Sequence, residues 1–166
     1  MSPILDQNTI EIISRSSNQT RRIGVRLGSL MELGDVICLV GDLGSGKTTL
    51  VQGIAAGWGS LDPVSSPTFM IVNIYRRTDG QKIYHLDAYR LKDSSEAWEL
   101  DITTMIEDGS LVIEWADKIE LALPEDGLWI SLFWSSENQR NLLISAKGDR
   151  YLNLMRALRK EVYGVY

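Results

Sequence analysis

One junction constrains this chain more than anything else in it. A continuous apolar run, Val36-Ile37-Cys38-Leu39-Val40, passes directly into Gly41-Asp42-Leu43-Gly44-Ser45-Gly46-Lys47-Thr48. The octad matches G-x-x-x-x-G-K-[ST] at every position. An unbroken apolar run is expected of a strand buried on both faces of a mainly parallel sheet. The apolar-rich stretch 50–58 reads as a helix that Gly57 and Gly59 end. Strand, glycine-rich loop and helix form the context in which this pattern has a physical meaning. The glycines let the backbone fold so that successive N–H groups face inward and make a concave anion site. The helix start adds free N–H groups and the positive end of its dipole. Lys47 supplies a flexible cation for the β- and γ-phosphates, and Thr48 a hydroxyl where Mg2+ must sit.

The rest of the chain predicts an α/β fold: a P-loop NTPase-like, mainly parallel sheet flanked by helices, with some antiparallel strands. Residues 9–14 read as a strand. Apolar spacing at Ile23, Leu27, Leu30 and Met31 reads as a helix over 18–33, with Gly34 as its C′ residue. Two β-rich runs, 69–77 and 81–86, flank Thr78-Asp79-Gly80, a strong hairpin signal. Ser94 or Ser95 is placed to cap a short helix over 96–100, and another helical turn covers 102–107. A short strand, 111–113, ends at Glu114-Trp115. Two further strands occupy 128–134 and 141–146. A basic amphipathic helix closes the chain over 149–162, with Leu152, Met155, Leu158 and Val162 on the stripe that docks onto the core.

With 166 residues, the chain has the size of a single P-loop domain spanning 1–166. One cysteine and one histidine cannot build a disulfide or a zinc site within the chain. No apolar run approaches a membrane span, and the first ten residues lack the basic and apolar regions of a secretory signal. The expected setting is cytoplasmic, without a membrane. Net charge is −5, but it is uneven. Residues 79–126 carry 13 acidic and 4 basic side chains, a net −9. Such a surface is poor at holding phosphate backbones, so neither DNA nor RNA is expected to bind it directly. It reads as a solvated acidic face or as a docking surface for a basic partner.

A P-loop site needs a second, magnesium-side carboxylate at the end of another strand. Asp87 is the leading candidate, closing the run Ile83-Tyr84-His85-Leu86-Asp87, and Glu114 is the other. A metal ligand on one and a water-orienting or acid–base role on the other is the expected division. His85 lies two residues before Asp87 and so shares its face on a strand. Its role, structural or functional, stays open. Cys38, inside the P-loop strand, reads as buried packing. No N-K-x-D or D-x-x-G segment points to a guanine-specific GTPase. No L-S-G-G-Q signature is present, and no arginine cluster stands where a small kinase has its lid.

The segments 41–50, 65–69 (Ser-Ser-Pro-Thr-Phe), 84–91 (Tyr-His-Leu-Asp-Ala-Tyr-Arg-Leu) and 112–118 (Val-Ile-Glu-Trp-Ala-Asp-Lys) resemble, in order and spacing, the TsaE (YjeE) family of bacterial ATPases. The resemblance is strong over 34–126 and general at the flanks. It implies ATP and Mg2+ as cofactors and a nucleotide site over Asp42, Leu43, Gly44, Ser45, Gly46, Lys47, Thr48 and Thr49. It implies that Lys47, Asp87, Glu114 and Trp115 serve ATP turnover, with Thr48, Asp87 and Glu114 toward the metal. Ser66, Pro67 and Thr68 match a switch-like loop near the nucleotide; Arg90 matches a motif arginine of open role. The family often has Glu-Leu-Gly where this chain has Glu99-Leu100-Asp101. The implied activity is slow ATP hydrolysis, acting with TsaD and TsaB in threonylcarbamoyladenosine modification at position 37 of ANN-decoding tRNAs, the tRNA being held by the partners. A small-molecule kinase and a nucleotide-sensing module remain the alternatives.

Overall fold

The structure, a computed structural model, describes residues 4–65 and 72–164. Ser66, Pro67, Thr68 and the start of the predicted strand over 69–77 lie outside the described residues. Among the described residues eight strands form one sheet: β1 (Ile4–Asp6), β2 (Thr9–Ser14), β3 (Val36–Val40), β4 (Val72–Arg76), β5 (Lys82–Asp87), β6 (Ser110–Glu114), β7 (Gly127–Trp134) and β8 (Arg140–Lys147). Their order is β1-β2-β8-β7-β3-β6-β5-β4. The centre is parallel, β3 lying between β6 and β7, with β5 beyond β6. Antiparallel pairing extends the sheet on both sides, through β8, β2 and β1 and through β4. The expected mixed α/β sheet with a parallel core is present. Val36, Ile37, Cys38 and Leu39 are buried, as the unbroken apolar run requires.

The main helices are α1 (Ser17–Leu30), α2 (Lys47–Trp58) and α5 (Asp149–Tyr163). Short α3 (Ser94–Ala97) and α4 (Ile102–Asp108) link β5 to β6, with a 3-10 turn over Trp98–Leu100 between them; a second 3-10 stretch, Ala116–Ala122, follows β6. The helix predicted over 18–33 stops earlier, at Leu30, with Met31 extended. Gly34 is therefore not its C′ residue. It adopts φ +89 in the turn before β3, where the Asp35 carboxylate accepts from the Glu32 N–H at 2.7 Å.

Gly57 does not end α2 either. It lies inside the helix, and only Gly59 caps it, with left-handed φ +101. Gly57 belongs to a close contact between α1 and α2. A Cβ on Gly28 would stand 2.0 Å from the Ile54 carbonyl oxygen, one on Gly53 2.1 Å from that of Arg21, and one on Gly57 1.9 Å from that of Val25. All three would meet backbone, so the helices must separate to admit one methyl group. Gly28→Ala is expected to destabilise the fold by about 1–3 kcal/mol, seen as a Tm lowered by roughly 3–10 °C in thermal melts. An unchanged Tm would contradict this packing.

Asp93, not Ser94 or Ser95, caps α3; its carboxylate accepts from the Ser95 N–H at 3.0 Å. Asp101 stands where the Glu-Leu-Gly pattern has glycine, and it takes φ +54. Aspartate tolerates this left-handed backbone better than most residues. Its carboxylate meanwhile accepts from the Thr104 N–H as the N-cap of α4. The departure from the pattern thus keeps the backbone turn.

On α5 the buried face is Tyr151, Leu154, Met155 and Leu158, rather than the predicted Leu152–Val162 stripe, whose ends are only partly covered. The helix docks on the core as expected. Arg150 clamps Asp35 through Nε (2.9 Å) and Nη2 (2.7 Å), and the Tyr151 hydroxyl accepts from the Val36 N–H at 2.9 Å. Both contacts fix the start of β3, the strand that leads into the glycine-rich loop. Among the described residues no helix is long and apolar enough to cross a membrane.

Candidate functional site

Three parallel strands end together. In register, Leu39 of β3 pairs with Glu114 of β6, and Glu114 pairs with Asp87 of β5. Chain segments leaving the carboxyl ends of parallel strands line the usual crevice of open α/β sheets. Here they enclose a cleft of about 360 Å³, lined by Leu43, Gly44, Gly46, Lys47, Thr48, Thr49, Asp87, Tyr89, Arg90, Glu114 and Trp115. Asp42 lies one residue before this lining, and Ser45 is buried beneath it.

Gly44 and Gly46 take φ +76 and +105, a backbone that favours glycine. Gly46 is also the N-cap of α2, with no side chain over the helix end. The free N–H groups of the first turn of α2 are therefore available to an anion. The Lys47 ammonium folds back over the loop. It donates to the carbonyls of Gly41 (2.5 Å) and Asp42 (2.8 Å) and lies 4.4 Å from the Trp115 ring centre. Burial, opposed mainly by the nearby charge of Glu114, holds its pKa below the ordinary lysine value. The cation is already stripped of much of its water.

A buried chain of hydrogen bonds runs away from Thr48. Its hydroxyl donates to Glu114 Oε1 at 3.2 Å. Glu114 Oε2 lies 2.6 Å from His85 Nε2, and His85 Nδ1 lies 2.7 Å from the Tyr75 hydroxyl. An ionised carboxylate only accepts. The proton is thus on Nε2, and in neutral imidazole Nδ1 accepts from Tyr75. Glu114, His85 and Tyr75 are all buried. Glu114 is held at both oxygens, which fixes its direction into the cleft.

Asp87 is different. It is partly exposed, and one oxygen accepts from the Tyr89 N–H at 2.9 Å. Partial burial raises its pKa above the ordinary aspartate value, and the charge of Glu114 adds to the rise. Trp115 takes φ +58, an uncommon backbone for a bulky residue, of the kind that gathers at functional sites. The sharp turn after β6 aims its ring across Lys47 and against Tyr89, ring centres 5.0 Å apart. Cys38 is buried in β3, and its thiol pKa is pushed up to about 12, mainly by burial. It is packing, as its position in the strand predicts.

Lys47, Thr48, Asp87, Glu114 and Trp115, scattered over 69 positions of sequence, thus converge on one cleft. Among the described residues no three His, Cys, Asp or Glu side chains form a metal-binding group. The oxygen set on offer is one hydroxyl and two carboxylates. Such a hard set, short of a full cage, suits Mg2+, which keeps several waters and takes one or two carboxylates together with phosphate oxygens.

Sequence reasoning missed four residues here. Tyr75 was findable: counting back from the Asp79-Gly80 turn pairs Tyr75 with Ile83, on the face of the hairpin that His85 shares. Tyr89 stacks on Trp115. Trp134 Nε1 donates to the Gly44 carbonyl at 3.1 Å, and Arg140 lies over the Trp134 ring with its guanidinium carbon 4.8 Å from the centre. Only the β3–β7–β8 pairing brings these last two to the loop, and periodicity carries no trace of it. Beside them a second hollow, lined by Arg15, Ser16, Ser17, Thr20, Thr49 and Arg140 among others, opens on the far flank of Gly44 and Gly46.

The family model "Threonylcarbamoyl adenosine biosynthesis protein TsaE" matches residues 14–142. A TsaE protein of Bacillus subtilis is 39% identical over 134 residues, covering 80% of this chain and 83% of its own. One from Streptomyces coelicolor is 34% identical over 137 residues, covering 79% and 93%. In three dimensions the chain is similar to a crystal structure of Bacillus subtilis YdiB, with a TM-score of 0.77, 29% identity, and coverage of 93% of this chain and 96% of that one.

Proposed function

The chain belongs to the TsaE family of tRNA threonylcarbamoyladenosine biosynthesis proteins, and from that premise we propose that it is the ATP-hydrolysing subunit of this modification. In this reading it acts in the cytoplasm with TsaB and TsaD on ANN-decoding tRNAs. The observation that carries the reading is the Thr48–Glu114–His85 chain joined to the open glycine-rich loop. A phosphate cradle alone would serve a binding module. A fixed carboxylate against the loop's own hydroxyl adds a metal position, which phosphoryl chemistry needs.

The roles follow from the geometry. The loop N–H groups and Lys47 hold the β- and γ-phosphates. Thr48 and Glu114 hold Mg2+, which when bound neutralises charge on the phosphate oxygens. This assigns the metal side to Glu114 ahead of Asp87, the reverse of the order in which the sequence suggests them. Glu114 contacts the P-loop hydroxyl and is clamped by His85; Asp87, among the described residues, has one oxygen without a partner and a raised pKa. A carboxylate of that kind suits taking the proton of an attacking water. The hollow on the far flank of the loop, lined by Arg15, Ser16, Thr49 and Arg140 among others, is the space this reading gives to the base and ribose. The net −9 over 79–126 supports tRNA being held by partner chains.

Two measurements test this reading. Phosphate release from ATP·Mg2+ is measured with the chain alone, with TsaB and TsaD added, and with small acceptor molecules. Stimulation by the proteins supports it; phosphate transfer to a small acceptor replaces it with a kinase. Secondly, Glu114→Gln keeps the side-chain size but removes the charge. Its nucleotide affinity is expected to become insensitive to Mg2+ in titrations with and without a chelator. A retained Mg2+ effect would move the metal role to Asp87.

A further inference from the structure

Four of the five tryptophans have a cation over the ring: Arg77 over Trp58, Lys47 over Trp115, Lys147 over Trp129 and Arg140 over Trp134. Trp98 has none among the described residues, and 68% of its surface is exposed. Leu121 is 86% exposed. The two residues come from different segments, one in the 3-10 turn after α3 and the other in the 3-10 stretch after β6. They nevertheless line one groove, with Ala97, Ile102 and Ala122 as its apolar floor and Asp101 at its edge. The chain turns Leu121 outward by breaking the helical path at Ile119 (φ −129), which is itself buried. Exposed carboxylates adjoin both apolar residues: Glu99 follows Trp98 and Glu120 precedes Leu121.

We propose that the Trp98–Leu121 groove is a docking surface for a partner protein that presents an apolar side chain framed by lysine or arginine. Trp98 offers the arriving cation a bare indole face, and Asp101 at the groove's edge and Glu99 beside Trp98 add carboxylates, while Glu120 is paired with Lys147 at 3.5 Å. Leu121 and the groove floor take the apolar side chain. Exposed apolar surface rimmed by charge marks such sites, and tryptophan is the residue most enriched among interface hot spots. The same carboxylates oppose the alternatives. They repel nucleic-acid phosphates, and in a symmetric pair of copies they would face one another. The location also matters for activity. The stretch carrying Leu121 begins directly after Trp115, whose ring covers Lys47. A partner held there touches the segment that shapes the site.

This inference rests on the reading that TsaB and TsaD are partners, and its test separates the two. Leu121→Asp and Trp98→Ala, both exposed positions where folding is safe, are compared with the unaltered chain and with Leu61→Asp, another exposed leucine. Binding to purified TsaB and TsaD, phosphate release with and without them, binding of tRNA alone, and the mass of the free chain in solution are measured. Each groove variant is expected to weaken partner binding at least about tenfold and to lose the stimulated phosphate release. Basal turnover stays unchanged, and Leu61→Asp behaves like the unaltered chain. Added salt weakens binding of the unaltered chain. Full partner binding by both groove variants overturns the docking surface alone. No binding by the unaltered chain overturns the partner reading and this proposal with it. A groove variant that instead loses tRNA binding, or turns a dimer into a monomer, assigns the groove to RNA or to a second copy and likewise overturns the proposal.

Discussion

Replacing Asp87 with asparagine is expected to slow ATP hydrolysis by about 10²–10⁴-fold, the usual range for loss of a positioned acid–base group, while nucleotide affinity stays close to that of the unaltered chain. Asp87 ends β5 beside Glu114 in register, yet among the described residues its one side-chain hydrogen bond is from the Tyr89 N–H. Among the described residues its other oxygen has no hydrogen-bond donor, which leaves it for a water. Burial and the neighbouring Glu114 charge raise its pKa, which strengthens it as a proton acceptor but delays its ionisation. A base must be deprotonated to act. The rate should therefore rise with pH through this raised pKa, at higher pH than an ordinary aspartate would give. Asp87→Asn should lack that rising limb. The comparison is made by single-turnover phosphate release over a pH series, with affinity measured separately. Equal losses in affinity and rate would mean that Asp87 holds the metal instead.

Lys47→Ala is expected to weaken ATP binding by at least about 30-fold, corresponding to the lower end of the roughly 2–5 kcal/mol lost when one partner of a buried charge pair is truncated. The magnitude follows from what the lysine has already given up. Its ammonium is buried, held by two loop carbonyls and stacked on Trp115. Most of its desolvation is complete before a phosphate arrives, so its attraction for the β- and γ-phosphates is little diluted by water. Its removal also leaves the Gly41 and Asp42 carbonyls facing the anion with no cation between them. Calorimetric titration of ATP into the two proteins measures the difference. Unchanged affinity would mean that the helix N-terminus and loop N–H groups carry the phosphates unaided.

The local pieces of this fold were legible because each carries its own signal. Val36–Val40 is apolar throughout because both faces of β3 are covered, and Asp79-Gly80 specifies the β4–β5 turn, Gly80 taking φ +87. The convergence of Lys47, Thr48, Asp87 and Glu114 was legible because a P-loop demands carboxylates at neighbouring strand ends, and the apolar runs 83–87 and 111–114 each close in one. What was hidden depends on packing between distant segments. Gly57 reads as a helix breaker in isolation, yet in the fold it admits the backbone of Val25. His85 was undecided because its partners, Glu114 and Tyr75, lie 29 and 10 residues away. Trp134 reaches Gly44 only through the pairing of β7 with β3. The sequence ranks Asp87 ahead of Glu114 for the metal side; the reverse order proposed above rests on the Thr48–Glu114 contact, which no sequence pattern shows.

The most direct measurement is a reconstituted modification reaction: tRNA, the threonylcarbamoyl donor, TsaB and TsaD, with the chain present or omitted and with ATP or a non-hydrolysable analogue, scored by threonylcarbamoyladenosine formed at position 37 over many turnovers. Sustained modification is expected only with the unaltered chain and hydrolysable ATP, and Asp87→Asn should fall to the level of the analogue. Equal sustained modification without the chain, or with Asp87→Asn, would contradict ATP hydrolysis at this cleft as the chain's contribution.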